Sequence, residues 1–93
     1  TIFPDQIKLE SYPNPFNPQT QIKFYLPGPG QINLSLFDIN GRSIRTLADG
    51  HFVQGAHSFE WNPAQNQHIS SGVYLVMLQT GNSILSKKIL YLK

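Results

Sequence analysis

The chain has no cysteine. No thiol nucleophile, disulfide or thiolate metal ligand is available, and the sequence fits any redox compartment. Charge is scarce too. Asp, Glu, Lys and Arg make up 13% of the 93 residues and the net charge is +2. With its few basic residues scattered, the chain carries no electrostatic footprint for nucleic acid. No apolar run approaches the roughly 18 residues that a membrane helix needs, and no helical period is sustained. The chain opens at Thr1 without a basic, apolar leader. No secretory signal is expected within this piece, as in a module cut from a longer precursor.

The groups needed for chemistry are equally thin. The three histidines, His51, His57 and His68, match no zinc spacing and have no cysteine to complete a site. Asp38-Ile39-Asn40-Gly41 has the start of a calcium loop but lacks its later ligands and closing glutamate. The acidic residues Asp5, Glu10, Asp38, Asp49 and Glu60 are spread over different strands and turns, so no carboxylate pair is expected to converge. No serine sits in a nucleophile elbow and no glycine-rich loop opens a helix. Asn33-Leu34-Ser35 has the glycosylation pattern but falls inside a predicted strand. The expectation is a non-enzyme with no metal and no cofactor.

What the sequence does have is alternation with a period of two. Ile7 and Leu9 alternate with Lys8 and Glu10; Ile22, Phe24 and Leu26 with Gln21, Lys23 and Tyr25; Ile32, Leu34 and Leu36 with Asn33, Ser35 and Phe37. Pro27-Gly28-Pro29-Gly30 forces a turn, and Asn40-Gly41 signals a hairpin. Arg42 to Leu47 reads as the return strand, with Ile44 as its core residue, and Leu47 to Ala56 as a longer connection. His57 to Trp61 is a short strand and Asn62 to Ser71 a polar loop. The apolar run Val73 to Leu78 suits a central strand covered on both sides, and Ser83 to Lys93 is the last strand. About seven short strands at this spacing predict an all-β, immunoglobulin-like sandwich of antiparallel strands in two sheets, forming one domain over residues 1–93. A chain of this size buries roughly 60–65% of its unfolded surface. Trp61 is expected to fill its centre, with Leu34 and Leu36 in the core and Tyr74 as a corner tyrosine.

The least ordinary stretch is Tyr12-Pro13-Asn14-Pro15-Phe16-Asn17-Pro18. Proline fixes its own φ, restricts the residue before it and donates no backbone hydrogen bond. The stretch is therefore neither an interior strand nor a helix, and a stiff extended ribbon is predicted where the first strand leaves its sheet. Tyr12 and Phe16 are its expected core anchors; Asn14 and Asn17 suit local side-chain turns. Two readings stand: a proline-blunted edge that keeps sheets from associating, or a rigid surface mark for a partner. Tyr25, Phe37 and Tyr91 are expected on outward faces, where they either stack on sugar rings or lie under neighbouring loops. Lys87 and Lys88 fall on a predicted edge strand, where lysines discourage pairing or meet an acidic receptor.

These motifs together resemble the type A C-terminal sorting domains of the type IX secretion system, whose sandwich is similar to the flagellar hook-capping immunoglobulin-like domain. The ribbon with Thr20 and Ile22, then Asp38, Gly41 and Arg42, carries the resemblance, and Leu47, Gly50, Gly55, His57 and Trp61 follow in order. Ser71-Gly72-Val73-Tyr74, Leu78, Gly81, Lys87-Lys88 and Leu92-Lys93 complete it. Relatives usually have an Asp/Gly-rich loop after the tryptophan; here it reads Asn62 to Ser70, so no acidic-loop role carries over. The resemblance implies a non-catalytic address on a secreted enzyme or adhesin. Its partners would be the outer-membrane translocon, a sortase-like peptidase and the upstream domain of the same precursor. Its route would run through the periplasm to the surface of a Gram-negative-type bacterium, and the domain is expected to be monomeric. The residues expected to meet the machinery are Tyr12, Pro13, Asn14, Pro15, Phe16, Asn17 and Pro18, with Lys87, Lys88 and Lys93. The alternatives are a carbohydrate-binding or structural accessory module of a secreted polysaccharide-degrading enzyme.

Overall fold

In the computed structural model, residues 7–16, 19–63, 69–81 and 83–92 are described. Seven strands follow one another: β1 (Lys8–Tyr12), β2 (Thr20–Leu26), β3 (Gly30–Asp38), β4 (Ser43–Phe52), β5 (Gly55–Trp61), β6 (Gly72–Thr80) and β7 (Ile84–Tyr91). All pair antiparallel, in a three-stranded sheet β1-β2-β5 and a four-stranded sheet β4-β3-β6-β7. The chain is all-β, as its alternation predicts. The inward phase of each strand forms the core: Leu9; Ile22, Phe24 and Leu26; Ile32, Leu34 and Leu36; Trp61; Tyr74, Val76 and Leu78; Ile89 and Tyr91.

Several expectations need correction. The connection read from Leu47 to Ala56 is mostly strand: β4 runs on to Phe52, leaving Val53 and Gln54 before β5. The β3–β4 pairing shifts register between Leu34 and Ser35 and again between Leu36 and Phe37. Each extra residue breaks the alternation that marks a strand in the sequence. Gly50 then continues the pairing opposite Ile32 at a φ of +148°, a conformation essentially confined to glycine. The same bulges leave Ile44 half-buried at the core margin. β6 is central within its sheet, but only its inner face is buried; Leu75 and Met77 are half-buried on the outer face. Lateral neighbours shield that face, with Phe37 opposite Leu75 and Leu90 opposite Val73. Of the loop from Asn62 to Ser71, residues 64–68, including His68, lie outside the described residues.

The β3–β4 hairpin forms where Asn-Gly signalled it, through different geometry. Only Gly41 takes a positive φ, +85°. Asp38 holds the turn: its Oδ1 accepts the backbone N–H groups of Asn40 and Arg42, both at 2.9 Å, and its carbonyl accepts from Gly41 at 3.1 Å. A three-residue loop closed by one left-handed glycine suits the twist of the flanking strands.

Candidate functional site

The ribbon after β1 crosses from one sheet to the other. It bends at residues 13–15, so it is not the extended strip that the prolines suggest; the Tyr12-Pro13 and Asn14-Pro15 peptide bonds are cis. Phe16 in the ribbon forms a parallel bridge with Tyr91 on β7, an edge strand of the four-stranded sheet among the described residues. The Phe16 N–H donates to the Leu90 carbonyl at 2.9 Å, and the Leu92 N–H donates to the Phe16 carbonyl at 3.0 Å.

Asn14 extends this ladder with its side chain. Its Nδ2 donates to the Lys88 carbonyl at 2.9 Å, and its Oδ1 accepts the Leu90 N–H at 3.0 Å. A main-chain residue continuing a parallel ladder one step along β7 would make these two bonds; here a carboxamide makes them. The expectation of a local turn at Asn14 is thus corrected. An amide presents one donor and one acceptor at nearly peptide spacing, and β7 offers a complementary pair. Thr20 fastens the other end, its Oγ1 donating to the Pro13 carbonyl at 2.8 Å. Thr20 is fully buried. The resemblance includes Thr20 beside the ribbon but assigns it no role, although it stands in the inward phase of Ile22, Phe24 and Leu26.

Beneath the ribbon lies a chain of rings. Phe16 stacks on Tyr91 at 5.1 Å and tilts against Trp61 at 5.5 Å, and Trp61 meets Tyr74 edge-on at 5.7 Å. These four side chains come from the ribbon, β7, β5 and β6, so they join the two sheets. Tyr91 is buried, which corrects its expected outward position. Its phase is shared by Ile89 and by exposed Lys87, a mixed signal that resolves inward because Phe16 covers the ring. Tyr12, expected as an anchor, is 78% exposed. It shares the outward phase of Lys8 and Glu10, and Phe16 alone supplies the anchor.

Tyr74 behaves as a corner tyrosine: its hydroxyl donates to the Ser70 carbonyl, four residues upstream, at 2.5 Å. Burial pushes its phenol up from the ordinary 10.0, and the Asp38 carboxylate and Tyr91 push it further. The unfolded chain therefore releases this proton first as pH rises. The stability held below pH 10 is lost as pH climbs through the folded pKa. Tyr74→Phe should cost about 1 kcal/mol below that range. Urea titrations at increasing alkaline pH should show the gap to wild type narrowing.

The sequence-predicted contact residues therefore divide. Phe16 is inside, and the Asn14 carboxamide is committed to β7. Tyr12, Pro13, Pro15, Lys87 and Lys88 are exposed around the same junction. Asn17, Pro18 and Lys93 lie outside the described residues. Asn14→Ala would strip two partners from β7 and should cost about 1–2 kcal/mol, with faster exchange of the Leu90 amide. Asn14→Asp should do no better, since it puts a carboxylate against the Lys88 carbonyl. Chemical denaturation and amide exchange measure both.

Residues 10–92 match the secretion system C-terminal sorting domain family. The chain belongs to that family. As a sorting domain it is a signal for type IX secretion, of a family that is non-catalytic, and its cargo goes to the cell surface or beyond. No curated protein matches the sequence. Among solved structures, the sorting domain is similar to part of PorZ of Porphyromonas gingivalis, described as an essential bacterial surface component of the type IX secretion system. The TM-score is 0.59 at 22% identity, over 91% of this chain and 11% of PorZ. It is also similar to part of the alkylpurine DNA glycosylase AlkC of Pseudomonas fluorescens, solved with DNA containing an abasic site analog. That match has a TM-score of 0.56 at 13% identity, over 95% of this chain and 30% of AlkC. At such identities the likeness is one of fold. The sorting domain spans a small part of either protein.

Proposed function

We propose that the 93 residues are one non-catalytic, monomeric domain that carries a larger secreted enzyme or adhesin from the periplasm to the type IX outer-membrane translocon. A sortase-like peptidase acts on the precursor afterwards. The surface that the translocon reads is the junction where the ribbon meets β7, with Pro13, Pro15, Lys87 and Lys88 exposed on it. The supporting observation is the Asn14 and Phe16 ladder to β7. It brings the two candidate stretches, more than seventy positions apart in sequence, onto one rigid patch. A receptor meeting such a patch loses little entropy ordering it.

The test is a reporter fused ahead of residues 1–93 in a type IX-competent bacterium. The wild-type fusion should reach the surface. A Lys87→Glu/Lys88→Glu fusion should stay in the periplasm while its thermal midpoint is unchanged, because both side chains are exposed. A wild-type fusion that stays behind overturns the function. A charge-reversed fusion exported as wild type overturns the assignment of the surface.

A further inference from the structure

The outer face of the three-stranded sheet lies away from the core, and only Tyr12 on it also borders the ribbon junction. Register sets its side chains in three rows: Lys8, Tyr25 and Ala56; Glu10, Lys23 and Ser58; Tyr12, Gln21 and Glu60. Two tyrosines stand in its end rows, Tyr12 on the edge strand β1 and Tyr25 on the central strand β2. Tyr12 is 78% exposed and Tyr25 is half-buried. Four residues along a strand and one strand across put them about 14 Å apart. Beside Tyr25 is a depression of about 160 Å³ lined by Lys8, Glu10, Lys23, Phe24, Tyr25 and Ala56.

We propose that this face binds an uncharged polysaccharide chain, with one sugar packed on Tyr25 in the depression and another, farther along, on Tyr12. A pyranose has apolar C–H faces and a rim of hydroxyls, and a tyrosine ring matches the first while its neighbours match the second. Glu10 accepts hydrogen bonds from hydroxyls, and Lys8 and Lys23 donate to them. At the Tyr12 end the polar groups are held in place by one another. Gln19 Nε2 donates to Glu60 Oε2 at 2.7 Å, and Ser58 Oγ to Gln21 Oε1 at 3.4 Å.

Charge decides the class of ligand. Lys8 and Lys23 balance Glu10 and Glu60 on this face, so it offers no net attraction to an anionic polymer. The separation of the tyrosines decides the size: one sugar cannot touch both rings, and a chain of several can. An apolar peptide would leave the four charges unpaired beneath it.

The test is affinity electrophoresis of the 93-residue chain in gels containing hydroxyethylcellulose, xyloglucan, laminarin or mannan, with alginate as the anionic comparison. At least one neutral gel should retard the wild type. Tyr12→Ala and Tyr25→Ala should each weaken retardation about tenfold, the order of one aromatic stacking contact. Tyr25→Phe should keep most of it, and Lys87→Glu/Lys88→Glu should bind as wild type. Tyr12 is exposed enough that its removal leaves the fold intact, so that variant decides the matter if Tyr25→Ala unfolds. No retardation in any neutral gel, retardation by alginate alone, or wild-type binding by Tyr12→Ala each overturns the proposal.

Discussion

Phe16→Ala is expected to destabilise the domain by about 3–5 kcal/mol. Phe16 is 2% exposed and sits between Tyr91 and Trp61. Alanine would leave a ring-sized void between Tyr91 and Trp61. A domain of this length holds roughly 5–14 kcal/mol in total, so the loss is a large share. Its thermal midpoint should drop by roughly 15–30 °C. Trp61 is the single tryptophan of the chain, so its fluorescence reports the unfolding of this variant directly. A midpoint within a few degrees of wild type would mean that the ribbon is not anchored as described. In the secretion assay the same variant should fail for a different reason from Lys87→Glu/Lys88→Glu: it loses the fold that presents the patch, and its midpoint says so.

Trp61→Ala carries a cost in the same range, about 3–5 kcal/mol. Trp61 is fully buried and touches Phe16 from the ribbon and Tyr74 from β6. It lies at the end of β5, an edge strand held by β2 alone among the described strands. Its ring is one apolar tie between that edge and the opposite sheet, and the Phe59–Phe52 contact at 6.1 Å is another. Circular dichroism must follow this variant, since its fluorophore is gone. Combined with Phe16→Ala, the total should fall short of the sum of the two. Each ring packs on the other, and the second removal enlarges a void that already exists. Full additivity would mean that the two rings act independently, contrary to their 5.5 Å separation.

The strands were legible because their physical signal is local. Ile22, Phe24 and Leu26 face one way and Gln21 and Lys23 the other whatever they pack on, and β2 runs over the residues that this pattern predicts. Where β4 carries an extra residue at its bulges the period fails, and with it the reading of Leu47 to Ala56. The candidate surface was half legible. Three prolines mark a segment short of N–H donors, and the tie to β7 runs through the Asn14 side chain and the Phe16 main chain between them. The outward position of Tyr12 was available from its phase with Lys8 and Glu10. The size of the ring argued for burial, and phase prevailed because Phe16 already fills that part of the core.

By itself the sequence determined the all-β character, the two-faced strands, the exclusion of the ribbon from any sheet interior, and the family, because each rests on residue chemistry or spacing within a few positions. Only the tertiary structure decided that the Asn14 amide meets Lys88 and Leu90, 74 and 76 positions away, and that Tyr91 is covered while Tyr12 is not. Alternation says that a strand has two faces. Which face is covered, and by what, depends on how two sheets stack and where the chain crosses between them.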